Sequence, residues 1–140
     1  MQQPNNRKTY ASFYTHQAAF SGLAAGGVDS KEIKIDSDSD FTVVKLCYFA
    51  DIAAAGQEDA TRVIPLVNVL ITDSASDAQL MRAPVPVPNI FGTGQIPFIL
   101  PAPHVFRASG TISIAVTNFD AANTYNLTLS LIGFKQFLRG

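Results

Sequence analysis

The clearest pattern of apolar and polar positions lies near the C-terminus, over residues 111–138. Apolar residues recur there at every second position, which is typical of strands with one buried face. We predict that six of these residues point between two sheets: Ile112, Ile114, Val116, Leu127, Leu129 and Leu131. Because a turn-rich segment at 118–123 separates the two runs, the pattern predicts an antiparallel hairpin of strands 111–118 and 125–138. The parity of the apolar positions changes at Gly133, which predicts a β-bulge or a bend.

The rest of the chain supplies further strands, separated by turn residues. They are predicted at residues 31–36, 41–51, 62–73, 79–83, 96–100 and 104–107. Six of the eight prolines lie between residues 84 and 103. Because proline removes a donor from the hydrogen-bond ladder, this segment is predicted to be a crossover with an edge strand. The sequence therefore predicts an all-β fold, an antiparallel β-sandwich of the jelly-roll type over residues 31–140.

The N-terminal residues 1–30 lack a clean period of either two or 3.6 and are predicted to form an extended arm. Its aromatic residues, Tyr10, Phe13, Tyr14 and Phe20, have no core of their own. Two alternatives follow: the arm packs on this chain's own sheet, or it contacts a neighbouring subunit. In either case we expect that removing residues 1–24 leaves the sandwich folded.

Composition limits the classes of function. The chain has 140 residues, enough for one domain with a core, and its net charge of −1 gives no reason to expect nucleic-acid binding. A single cysteine, Cys47, excludes an internal disulfide, and the lack of tryptophan argues further against an immunoglobulin domain. We find no secretory signal and no apolar run of the ~20 residues that a membrane helix needs, so we expect a soluble protein made in a cytoplasm.

Motifs of catalysis or cofactor binding are not found. The chain has two histidines, His16 and His104, and none of the common nucleophile, phosphate-binding or zinc motifs. The spacing of Asp36, Asp38 and Asp40 resembles the opening of a calcium loop, but Phe41 and Cys47 replace the glycine and glutamate that such a loop requires. We therefore expect a protein that is not an enzyme, with no catalytic, cofactor or metal residues.

The order of four segments resembles the small accessory head proteins of tailed bacteriophages, and most of all the capsid cement, or decoration, proteins of short-tailed Bordetella phages. The segments are SDSDFTVVKLCYFAD, VNVLITDSASDAQLMRAPVPV, IPFILPAPHVFRASGTISIAVTNF and NLTLSLIGFKQF, between residues 37 and 137. The resemblance implies a jelly-roll protein on the outer surface of the virion. It implies a homodimer that bridges subunits of the major capsid protein and holds the shell against packaged DNA. Residues 1–36 lie outside the resemblance.

The residues expected to bind a partner are the four aromatics of the arm together with three residues of the proline-rich crossover: Pro86, Pro88 and Phe91. Aromatic side chains bury a large area at low entropic cost, and proline stiffens a segment before it binds. One alternative is a carbohydrate-binding or host-adhesion module, for which Tyr48, Phe49, Phe91 and Phe106 are candidate residues. Another is a minor tail or fibre-base protein of a phage, and copy number in the particle would distinguish it from a head protein.

Overall fold

The computed structural model describes residues 9–53, 64–76 and 78–138, which form nine strands and one short helix. In chain order these are β1 (Thr9–Leu23), β2 (Val28–Lys34), β3 (Ser39–Ile52), β4 (Val67–Asp73), β5 (Ala78–Gln79), β6 (Val85–Pro86), α1 (Val87–Ile90), β7 (Phe98–Phe106), β8 (Thr111–Asn118) and β9 (Tyr125–Leu138).

The strands form two antiparallel sheets that pack face to face. The first sheet has the order β1-β9-β3-β7, and the second has the order β2-β8-β4-β5, with β6 also paired to β4. The pairs β1 with β9, β2 with β8, β3 with β7, and β4 with β5 and β6 are those of one long hairpin rolled across two sheets. That connectivity is a jelly roll. The predicted all-β sandwich of jelly-roll type is confirmed.

The core lies between the two sheets. All six residues predicted to point inward from the C-terminal strands are at most 1% exposed. Residues that pair with inward positions of β8 and β9 also point inward. Val43 of β3, opposite Gly133, and Val69 of β4, opposite Val116, are therefore fully buried as well.

The predicted hairpin of the last two strands is wrong. β8 belongs to the second sheet and β9 to the first, and residues 119–124 carry the chain from one sheet to the other. Alternation tells which side of a strand is buried, but it is the same for a hairpin and for an arch between sheets. The predicted strands 96–100 and 104–107 are likewise one strand, β7, whose register with β3 is interrupted between Ile99 and His104, where Pro101 and Pro103 lie.

The predicted arm also needs correction, because residues 9–30 belong to the sandwich. β1 pairs with β9 from Thr9 opposite Leu138 to Phe20 opposite Leu127, and the following turn leads into β2 at Val28. The first of the two alternatives therefore holds for these residues: they pack on this chain's own sheet. The remainder of the predicted arm, residues 1–8, lies outside the described residues.

Gly133 does mark a bulge, but the extra residue is in the opposite strand. The pairing of β3 with β9 passes from Val43 opposite Gly133 to Lys45 opposite Ile132, which leaves Val44 unpaired. A Cβ atom on Gly133 would lie 1.8 Å from the carbonyl oxygen of Thr42. Glycine is therefore required because the backbone of β3 comes too close for a side chain.

Candidate interaction surface

Two of the predicted partner-binding residues are part of the core. Phe20 is 1% exposed and Phe91 is 2% exposed, and both pack in the central apolar cluster. Their assignment to a binding surface is therefore corrected, because a side chain buried between the sheets cannot contact another protein while the sandwich is folded. Phe20 and Phe91 serve instead to fix β1 and the crossover onto the core.

The other aromatics of β1 lie on different sides of the strand. Phe13 is 78% exposed and points outward, whereas Tyr14 is 36% exposed and packs edge-on against His16 and Phe41 on the other side of the strand. The backbone of Tyr10 pairs with Phe137, and the side chain of Tyr10 lies outside the described part of the chain.

Of the two candidate prolines, one lies in the second sheet and the other in α1. Pro86 is half-buried in β6, opposite Asn68 of β4, and Pro88 is exposed in α1. The structure thus does not bring them together with Phe13, because β1 is an edge of the first sheet.

A cluster of apolar side chains covers part of the outer face of the first sheet. Its members come from three strands and are called the outer patch below: Phe13, Ile99, Val105, Ile132 and Phe134. Cross-strand pairing places them in two adjacent rows. One row runs Phe13, Phe134, Thr42, Val105, and the other runs Thr15, Ile132, Lys45, Ile99.

The outer patch is open to solvent. Phe13, Ile99 and Val105 are all exposed, Ile99 by 66%, while Ile132 and Phe134 are half-buried. A phenylalanine contributes about 150–250 Å² when it is buried, so that the patch amounts to a few hundred Å². The largest apolar patch on a folded monomer is usually of this size and is often functional. No sequence signal short of the strand pairing assembles it, because Phe13 and Phe134 lie at opposite ends of the chain.

Charged groups tie the two sheets together beneath the outer patch. The Lys135 ammonium donates a hydrogen bond to the carboxylate of Asp36, which follows β2, and it lies 3.9 Å from the centre of the Tyr14 ring. This hydrogen bond lowers the pKa of Asp36 and raises that of Lys135. His16 packs edge-on against Tyr14 and Phe41, and burial, followed by the charge of Lys135, lowers its pKa.

A second contact between the sheets joins His104 of β7 to Asp73 of β4. The Nε2 atom of His104 lies 3.0 Å from Oδ2 of Asp73, and the other oxygen of Asp73 accepts a hydrogen bond from the amide of Ala75. Among the described residues, no serine, threonine or cysteine side chain hydrogen-bonds to this pair. The arrangement therefore holds two strands together and presents no activated nucleophile.

The three aspartates of the calcium-like segment do not converge. Asp36 is paired with Lys135, Asp40 accepts a hydrogen bond from the amide of Ala108, and Asp38 is exposed. In the part of the chain that the structure describes, no three side chains of His, Cys, Asp or Glu gather as metal ligands would. The thiol of Cys47 is buried, lies 3.5 Å from the carbonyl oxygen of Thr93, and has a pKa raised by burial.

Two of the four aromatic residues considered for sugar binding are buried, and the other two line a groove. Phe91 and Phe106 are buried, whereas Tyr48 and Phe49 line an open groove of about 590 Å³ together with Ile64 and Gln95. This groove lies where the loop after α1 runs alongside β3, and the backbone of Gly92 hydrogen-bonds there with Leu46 and Tyr48.

No helix within the described ranges is both long enough and apolar enough to cross a bilayer. Comparison of the chain with protein-family models, with curated proteins and with solved structures finds no match.

Proposed function

We propose that this protein is a capsid cement protein of a tailed bacteriophage. It binds the outside of the assembled head as a homodimer, bridges subunits of the major capsid protein and stabilises the shell against the pressure of packaged DNA. The observation that carries the proposal is the outer patch, an exposed apolar surface on a jelly roll. The likeness of residues 37–137 to phage cement proteins supplies the identity of the partner.

The physical character of the outer patch suits a contact between proteins. Apolar and aromatic side chains at the centre of an interface contribute most of its binding free energy, and charged residues are depleted there. Lys45 is the charged residue in the two rows of the patch, and it lies between Ile132 and Ile99. The patch rests on a sheet that is tied to the second sheet through Lys135 and Asp36, so little order has to be gained on binding.

The test is binding of the purified protein to expanded phage heads that lack it. Replacing Phe13 by aspartate places a charge on the most exposed aromatic residue of the apolar contact, and we expect about tenfold weaker binding or more. Val28→Asp is the matched control, because Val28 is 74% exposed on β2 of the second sheet, away from the patch. Equal occupancy of heads by wild-type protein and the Phe13→Asp variant would contradict the assignment of the patch.

A second function, carbohydrate binding by a host-adhesion module, is favoured by the groove beside Tyr48 and Phe49. An exposed aromatic side chain such as Phe49, with the amide of Gln95 nearby, can hold a sugar ring. Binding of the protein to a glycan array, lost in the Phe49→Ala variant and kept in Phe13→Asp, would favour this function. The number of copies per particle distinguishes a head protein, with hundreds, from a minor tail or fibre-base protein, with a handful.

A further inference from the structure

The four edges of the two sheets differ in how they are protected against pairing with another strand. Natural edge strands carry prolines, charges or bulges, or are very short. β7 contains Pro101 and Pro103 with an interrupted register, and β5 has two residues. β2 carries four charges in seven residues: Asp29, Lys31, Glu32 and Lys34.

β1 lacks proline and charge and is long, and the irregularity in its register lies near its end, between Phe20 and Leu23. The strand is 15 residues long, with the sequence TYASFYTHQAAFSGL, and contains no proline, aspartate, glutamate, lysine or arginine. One side of it pairs with β9 in continuous register from Thr9 to Phe20. No described strand pairs with the other side, because β1 is the last strand of its sheet. The N–H and C=O groups of every second residue on that side are therefore available to a further strand.

We propose that the open edge of β1 pairs with β1 of a second copy of this chain. The two strands run antiparallel about a twofold axis, and the two four-stranded sheets join into one continuous sheet. A second copy is the occupant that the edge fits best, since a strand paired antiparallel with its own copy meets the requirement of a closed twofold interface. The lack of charge along β1 removes the repulsion that self-pairing would otherwise bring.

The size of the contact agrees with a specific dimer. A strand of 15 residues is about 50 Å long, and the edge of a two-sheet sandwich is about 10 Å thick. Pairing along such an edge buries roughly 500 Å² of accessible surface on each copy, or about 1,000 Å² in total. This total is at the lower limit for a specific interface between proteins. The hydrogen bonds of the paired backbones add direction to this contact.

Pairing along the whole strand determines which residues meet. His16 is the middle residue of β1, so full overlap places the axis there and brings Thr15 opposite Gln17 of the second copy. Both residues point outward, on the same face as Phe13. The outer patches of the two copies then lie on one face of the continuous sheet, which gives the proposed capsid protein a bivalent contact. The inference rests on the proposed function for this consequence alone.

The experiment introduces charges at the two facing positions. One variant carries Thr15→Lys and Gln17→Lys, the other carries Thr15→Glu and Gln17→Glu, and the wild-type protein is measured beside them by analytical ultracentrifugation. We expect the wild type to be a dimer at micromolar concentration and each variant to dissociate about tenfold more readily or more, because like charges face each other twice. An equimolar mixture of the two variants should form the heterodimer.

The control places the same charge change on a protected edge. Ile99→Lys with Val105→Lys alters exposed positions of β7, the opposite edge of the same sheet, and we expect this protein to remain dimeric. Circular dichroism verifies that all variants are folded. A monomeric wild type, variants that dimerise as the wild type does, or a mixture that stays monomeric would each overturn the proposal. Since no capsid is present, a failure here is distinct from a failure of the capsid-binding experiment.

Discussion

The inward residues of β8 and β9 fill the centre of the sandwich, and Leu129 is the clearest single test of how much they contribute. It is fully buried and lies between Ala18 of β1 and Tyr48 of β3 across the sheet. We expect Leu129→Ala to lower the free energy of unfolding by about 2–5 kcal/mol, measured by urea denaturation. Leu66→Ala, at a position that is 44% exposed, should change it by less than about 1 kcal/mol. Similar losses for the two variants would contradict the assignment of the core.

Asp120 organises the turn between β8 and β9. Its carboxylate accepts hydrogen bonds from the Tyr125 hydroxyl and from the amides of Ala122 and Asn123. These bonds, that from Tyr125 first, lower the pKa of Asp120 from 3.8 to about 2. A carboxyl group whose pKa is lower in the folded state stabilises the protein above its unfolded pKa, and this contribution is lost as the pH falls.

We therefore expect the contribution of Asp120 to disappear between about pH 4 and pH 2, and Asp120→Asn to flatten the fall in stability over that range. Thermal unfolding measured from pH 2 to pH 6 gives the comparison. Asp29→Asn is the control, because the Asp29 carboxylate accepts a hydrogen bond from the adjacent Ser30 amide on an exposed strand. If stability falls with decreasing pH as steeply in the Asp120→Asn variant as in the wild type, the turn network does not act in this way.

At the scale of elements, the pairing of β3 with β9 depends on Gly133. A methyl group at this position would meet the carbonyl oxygen of Thr42, which belongs to backbone and cannot swing aside. We expect Gly133→Ala to lower the free energy of unfolding by about 3 kcal/mol, at the upper end of the range for overpacking. Gly94→Ala is the matched change in open space, with no atom within 4 Å of the new methyl group, and it should be nearly neutral.

The role of β1 as a strand of the sandwich reverses one expectation from the sequence. Removing residues 1–24 deletes β1 and with it Ala18, Phe20 and Leu23 of the core, and exposes the side of β9 that β1 covers. We now expect the truncated protein to lose its cooperative thermal unfolding, as followed by circular dichroism. Two substitutions on the same strand supply the control. Phe20→Ala should cost about 3–5 kcal/mol, whereas Phe13→Ala should be close to neutral for stability.

The period of two was sufficient to predict β8, β9 and their buried residues, because alternation is a local property. It did not predict β1, since the inward positions of that strand include Tyr14, His16 and Ala18, which are not uniformly apolar. Pairing partners cannot be derived from alternation, and so the pattern does not distinguish the arch from β8 to β9 from a hairpin.

The residues of the candidate site also could not be predicted from local alternation alone. Phe13 and Phe20 are chemically identical, and only their opposite parity on β1 determines that one faces solvent and the other the core. The outer patch further requires β1, β7 and β9 to lie in one sheet, which depends on contacts between distant parts of the chain. The sequence could therefore identify Phe13 as a candidate, but not Ile99, Val105, Ile132 or Phe134.

At the scale of the whole molecule, the proposed dimer and the outer patch act together. Along a paired β1, Phe13 lies opposite Ala19 of the second copy, so that the two Phe13 side chains are about 20 Å apart along the strands. Two patches on one rigid sheet bind a repetitive surface with a high effective concentration for the second contact. A dimer with one intact patch should then lose far more affinity than a factor of two.

The two variants with opposite charges at positions 15 and 17 allow this to be measured. The copy with Thr15→Lys and Gln17→Lys also receives Phe13→Asp, and it is mixed with the copy that carries Thr15→Glu and Gln17→Glu and an intact Phe13. We expect this heterodimer to bind expanded heads at least about tenfold more weakly than the heterodimer with two intact patches, and to protect them less from heat. The reason is that the one-patch dimer can hold one capsid subunit but cannot bridge two. Equal binding and equal heat protection by the two heterodimers would mean that the patches act independently, and that bridging requires another surface.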